Sequence, residues 1–143
     1  MNTSLNAINS ILLIDDDNIA NYLHASLIRK VNLTTTIFVK LNGREALNFL
    51  EESYAQCMAL PSLIFCDLNM PVLNGFEFIE WLRQNSIAVL NNIPLVALST
   101  SACDADMKKM NELKVQHCLA KPLTREKLLS VINNIFRKGT IHQ

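Results

Sequence analysis

Residues 62–74 read Ser-Leu-Ile-Phe-Cys-Asp-Leu-Asn-Met-Pro-Val-Leu-Asn. Leu63, Ile64, Phe65 and Cys66 have the character of a buried strand, and Asp67 stands where that strand should end. Pro71 breaks the following loop and Asn74-Gly75 signals a turn. A carboxylate at the end of an apolar strand is costly unless neighbouring groups neutralise it. The remainder of the chain must therefore supply those groups.

Upstream, Ile11 to Ile14 form a short apolar run stopped by Asp15-Asp16-Asp17, which predicts a first buried strand ending in acids. From Asn18 the period changes. Ile19, Tyr22, Leu23, Leu27 and Ile28 recur at helical spacing and predict a helix to about Lys30 with these residues on its buried face. Thr34 to Leu41 predicts a second strand, broken by Asn42-Gly43, and Ala46, Leu47, Phe49 and Leu50 mark a second helix to about Ser53.

Downstream, Phe76, Phe78, Ile79 and Leu82 predict a third helix, with Trp81 partly buried at its flank. Leu95 to Leu98 is a fourth strand, followed by Ser99-Thr100-Ser101. Asp104 is the expected cap of a fourth helix that buries Met107, Met110 and Leu113. Val115 to Ala120 is a fifth strand, stopped by Lys121-Pro122, with the X–Pro bond expected in the cis form. Thr124 caps a fifth helix built on Leu128, Leu129, Ile132, Ile135 and Phe136 and ended by Gly139. His24 and His117 read as surface or half-buried side chains.

Apolar strands alternating with amphipathic helices imply an α/β fold, a doubly wound parallel sheet of five strands covered by five helices. The whole chain, 1–143, reads as a single domain with its core at about 10–138 and flexible ends at 1–9 and 139–143. With 143 residues, half of them hydrophobic, such a domain buries a real core. Formal net charge is zero, so no strong global field favours nucleic acid, and no apolar run reaches membrane-spanning length. Cys57, Cys66, Cys103 and Cys118 lack CxxC spacing, and Cys66 and Cys118 lie inside apolar runs, where buried thiols are the expectation. Residues 1–10 lack the charged region and long apolar core of a signal peptide, so a reducing, cytoplasmic compartment is expected.

In such sheets ligands bind outside the carboxyl ends of the strands. That rule gathers Asp15, Asp16, Asp67, Ser99 with Thr100, and Lys121. Clustered carboxylates repel one another, and a hard divalent cation such as Mg²⁺ relieves the conflict. A carboxylate can also accept a phosphoryl group as a nucleophile. Such a transfer needs charge neutralisation around the phosphoryl oxygens, which a metal, Lys121 and the Ser99 hydroxyl would supply.

Leu13 to Asp17, Asp67-Leu68-Asn69-Met70-Pro71 with Gly75, Ser99 after Leu98, and Lys121-Pro122 occur in order at successive strand ends. With these four pieces the chain resembles a receiver domain of the two-component response regulators, of the stand-alone, chemotaxis-regulator-like kind, over about residues 10–138. The resemblance implies a flavodoxin-like receiver fold with strand order 2-1-3-4-5. It makes Asp67 the phosphoacceptor, Ser99 the switch hydroxyl and Lys121 the phosphate-binding lysine. It gives Mg²⁺ to Asp15, Asp16, Asp67 and the backbone carbonyl of Asn69. It implies a histidine kinase or a histidine phosphotransfer protein as phosphodonor and a protein as downstream target, with no nucleic acid or membrane partner. Such a protein is not an enzyme beyond its own phosphorylation and dephosphorylation.

The chain departs from the family twice. Cys118 stands where many receivers carry the switch aromatic, and Lys114 stands near a position often held by glycine. The alternatives are a receiver piece of a larger hybrid histidine kinase and an aspartyl-phosphate phosphatase. Such phosphatases typically place a second Asp two residues after the first, where this chain has Asn69. A flavin or nucleotide binder lacks its Gly-rich loop here, and a phosphorylation-independent interaction domain would not need the acids and lysine.

Overall fold

The computed structural model describes residues 8–32, 35–100 and 104–136, the side chains of 104–106 excepted. Five strands carry the fold: β1 (Ser10–Ile14), β2 (Thr36–Lys40), β3 (Leu63–Asp67), β4 (Leu95–Ser99) and β5 (His117–Ala120). They pair in parallel in the order β2-β1-β3-β4-β5. The helices are α1 (Asn18–Val31), α2 (Gly43–Ala55), α3 (Gly75–Gln84), α4 (Ala88–Asn91), α5 (Asp104–Glu112) and α6 (Arg125–Phe136). The expected flavodoxin-like sheet and strand order are thus present. A sixth helix is added: α4 is a single turn before β4, where the sequence reading expects a plain connection.

Alternate residues of each central strand face opposite cores. Leu12, Ile14, Ile64 and Cys66 pack toward α2, α3, α4 and α5, whereas Ile11, Leu13, Leu63 and Phe65 pack toward α1 and α6. All residues of β1, β3 and β4 are buried. The edges β2 and β5 are only partly covered. That difference follows from position, since each edge strand has one neighbour.

Local chemistry sets the helix starts. Asp17 caps α1 by accepting from Ile19 N, and Asn42 caps α2 by accepting from Glu45 N. Asn74 and Glu77 form a reciprocal capping box on α3. Thr124 Oγ1 accepts from Lys127 N at the start of α6. The expected cap at Asp104 and the ends at 1–7 and 139–143 lie outside the described residues.

Two expected core faces are corrected. Ile19, Tyr22 and Leu23 of α1 are 70%, 70% and 58% exposed, and the buried face is Asn21, His24, Ala25 and Ile28. The helix is rotated because Asn21 and His24 abut the polar end of the sheet, so an inward polar stripe replaces the apolar one. Met107 of α5 is likewise exposed, while Met110 is buried as expected.

Two glycines hold loops together by lacking a side chain. A Cβ on Gly75 would lie 2.3 Å from the Asp67 carbonyl oxygen, so α3 can start directly against the end of β3 only with glycine there. Gly43 N donates to Leu73 O at 3.0 Å, and a Cβ on Gly43 would meet that same oxygen at 2.3 Å. Leu73 itself has φ 53, in the left-handed region.

Candidate functional site

The parallel register aligns the carboxyl ends of the strands. Ile14 lies opposite Cys66, Asp67 opposite Leu98, and Ser99 opposite Ala120. Backbone bonds extend the ladder beyond the strands: Asp15 N to Lys40 O at 3.1 Å, Leu68 N to Leu98 O at 3.0 Å, and Lys121 N to Ser99 O at 2.8 Å. The side chains of Asp15, Asp67, Ser99 and Lys121 are thereby brought to one end of the sheet. The Lys121–Pro122 bond is cis, as the sequence reading expects.

Asp15, Asp67 and Ser99 are buried, whereas Asp16 is exposed. Asp15, Asp16 and Asp67 each offer a carboxylate oxygen, and these oxygens lie within 4.8 Å of one another. Lys121 Nζ donates to Asp15 Oδ2 at 2.6 Å and lies 3.5 Å from Asp67 Oδ2. The second oxygen of each acid accepts from backbone: Asp17 N reaches Asp15 Oδ1 at 3.0 Å, and Asn69 N reaches Asp67 Oδ1 at 3.2 Å. Both acids are held in place from two sides.

Burial, and then the charge of Asp15, push the Asp67 pKa above the usual carboxylate value. The Asn69 N–H and Lys121 oppose that rise without cancelling it. Burial works against the Lys121 charge, but the hydrogen bond and charge of Asp15, joined by Asp67, outweigh it and raise the lysine pKa. Cys66, wholly buried behind Asp67, has its thiol pKa raised by burial first and by Asp67 and Asp15 after it, so it is an inert core group. Three carboxylates face one ammonium, and this donor set suits a hard divalent cation bound by oxygen.

The geometry brings together Asp15, Asp16, Asp67, Ser99 and Lys121, the residues singled out by sequence. Asn69 follows in the loop, exposed, with its N–H turned to Asp67. One residue beside the site, Asn21, escaped the sequence reading, and another, His24, was misplaced by it. Asn21 is buried, its Nδ2 donates to the Asp15 carbonyl at 2.8 Å, and it thereby anchors the peptide that joins Asp15 to Asp16. His24 is buried rather than at the surface or half-buried. Burial lowers its pKa, Asp15 and Asp17 pull it up, and Lys121 pushes it down. The signal available was the spacing of Asn21, His24, Ala25 and Ile28, which is as helical as that of the apolar set.

Lys114, the residue near the expected glycine, has φ 59. It occupies the left-handed conformation that glycine would take without steric cost. Cys118 is half-buried and packs against the core on the α2–α5 side. Among the described residues no helix is long and apolar enough to cross a membrane.

The fold is shared with known proteins. A two component response regulator from Cytophaga hutchinsonii, known from its crystal structure, is 35% identical with a TM-score of 0.79, covering 91% of this chain and 98% of that one. The Mn(2+)-bound form of response regulator Rcp1, a protein of a Synechocystis species, is 27% identical with a TM-score of 0.72, covering 89% and 91%. The CpxR homolog of Haemophilus influenzae, a transcriptional regulatory protein, is 31% identical over 90% of this chain, which spans only 51% of that protein. The family profile of the response regulator receiver domain matches residues 11–133. The chain thus belongs to the receiver domain family of the response regulators of two-component signalling.

Proposed function

We propose that Asp67 accepts a phosphoryl group from a phosphohistidine on a histidine kinase or phosphotransfer protein. The observation that carries this reading is the meeting of Asp15, Asp16 and Asp67 within 4.8 Å, with Lys121 paired to two of them. An Asp67 carboxylate oxygen attacks phosphorus, the P–N bond of the donor breaks, and its electron pair returns to the imidazole. Lys121 is released from Asp67 as the carboxylate charge moves onto the phosphoryl oxygens, and its Nζ holds one of those oxygens as a point charge. The Ser99 hydroxyl donates to another.

Mg²⁺ would be held by Asp15, Asp16, Asp67 and the Asn69 carbonyl, and when bound it supplies the positive charge that the three acids lack. The relative Rcp1 is known in a Mn²⁺-bound form, which supports a divalent cation for this chain. Asp15 orients Lys121, and Asn21 orients Asp15. Burial of Asp67 limits the access of water to the acyl phosphate. The receiver unit, about residues 10–138, acts in the cytoplasm and signals by binding a protein. It is no enzyme beyond its own phosphorylation and dephosphorylation.

The test is incubation with acetyl phosphate and Mg²⁺, followed by intact-mass measurement. One phosphoryl group is expected on the wild type and none on Asp67→Asn or with excess EDTA. Undiminished labelling of Asp67→Asn would sink the assignment.

A further inference from the structure

The end of the sheet opposite Asp67 holds a cavity with chemistry of its own. It measures about 410 Å³ and opens between the segment before β4, the start of β5 and the last turns of α6. β4 runs from this end to Ser99, so about 13 Å of strand separates the cavity from the phosphoacceptor end. Among the described residues its walls carry the permanent cations Arg83 and Lys114 and no carboxylate. Gln116 and Asn134 add neutral hydrogen-bonding groups, and Pro94 and Ile135 an apolar side.

One observation points to a ligand. Arg83 is half-buried, and its guanidinium has no carboxylate partner among the described residues: Nη1 donates to the Asn91 carbonyl at 3.0 Å, and the ion pairs present belong to Lys121. A carbonyl at the end of a one-turn helix takes one of five donors and offers no full counter-charge. A partly desolvated charge left in that condition is costly. Lys114 takes φ 59 as the cap of α5, with Lys114 N donating to Asn111 O at 3.1 Å and Val115 N to Met110 O at 2.9 Å, and its side chain lines the cavity.

We propose that this cavity is a second ligand site, taking a small oxyanion, a phosphate monoester or a carboxylate, that carries an apolar body. The remaining donors of the Arg83 fork engage the oxyanion, and Lys114 adds charge at the rim. Pro94 and Ile135 cover the apolar body. The volume lies in the range of small-molecule pockets. The site does not depend on the phosphoacceptor reading of Asp67.

The test is an amide NMR titration of the full chain with inorganic phosphate, adenosine 5′-monophosphate and benzoate. Saturable shifts are expected at Asn92, Lys114 and Gln116, with residues 67–69 unmoved. Arg83→Gln is expected to weaken binding about tenfold or more, the loss of a charge-assisted hydrogen bond. Because Arg83 also holds the Asn91 carbonyl, Lys114→Gly is the second variant. It should keep or raise the melting temperature by relieving backbone strain, yet weaken binding about threefold through the lost charge. Saturation by phosphate or the nucleotide assigns a phosphate source, and saturation by benzoate alone assigns a carboxylate. Shifts confined to residues 67–69, no saturation by any probe in the millimolar range, or unchanged affinity in both variants would overturn the proposal.

Discussion

Asp67 is pulled two ways. Burial and the neighbouring Asp15 favour its neutral form, while the Asn69 N–H and Lys121 favour the carboxylate, and the first pair wins. A carboxyl whose pKa is raised by folding stabilises the fold below its unfolded pKa, and that contribution is lost as pH rises through the folded pKa. At neutral pH without metal, ionised Asp67 is therefore a burden on the fold. Asp67→Asn is expected to raise the melting temperature in EDTA at pH 7 by about 1–3 °C, while the same substitution removes phosphorylation. A lowered melting temperature in thermal denaturation would show that the pairing with Lys121 outweighs the repulsion. This opposition of function and stability was legible in the sequence as far as the residues go. Asp15, Asp67 and Lys121 each close an apolar run, a position few surface residues occupy. Asn21 was not legible, because nothing in a lone asparagine tells that its amide reaches the carbonyl of a residue six positions earlier.

Helix α1 shows where periodicity misleads. Two sets of residues on it have helical spacing, and hydrophobicity favours the one that the structure exposes. The buried set includes Asn21 and His24 because the upper part of that interface borders a charged site, where an apolar side chain would desolvate Asp15 and Lys121. Leu23→Ser is accordingly expected to change stability by no more than about 0.5 kcal/mol. Ile28→Ala, which empties a fully packed position, is expected to cost about 2–5 kcal/mol. Chemical denaturation of the two variants checks the rotation directly, and a larger loss at Leu23 would contradict it. At α3 the sequence was more informative, since Asn74-Gly75 marked the turn. Gly75→Ala is expected to cost more than about 2 kcal/mol and to slow phosphorylation as well, because the new methyl must push the Asp67 carbonyl aside. The α4 turn left no trace in the pattern, as four residues are too few to show a period. Met107 failed for a related reason: α5 is short, and one buried methionine, Met110, suffices to seat it.

Across the molecule, the parallel sheet and the gathering of strand ends followed from the alternation of apolar strands and amphipathic helices, while the strand order followed from the resemblance to receivers. What alternation does not encode is how a change at Asp67 would spread. Cys118 stands half-buried on β5, and its single χ1 torsion sweeps little volume. Comparison of the free chain with its beryllofluoride-bound form is expected to move amide resonances of residues 68–74 and of Ser99 and Thr100, with the Cys118 rotamer unchanged. A Cys118 rotamer exchange with those loops unmoved would overturn this. The hydrogen bond between Gly43 and Leu73 suggests the direction such a movement would take. It works as a hinge pin fastening the centre of the sheet to its rim: lifting residues 68–74 drags Asn42 and Gly43 along, and with them the first turn of α2. A protein resting on α2 would feel the event at Asp67 through that pin, on the flank of the sheet farthest from β5.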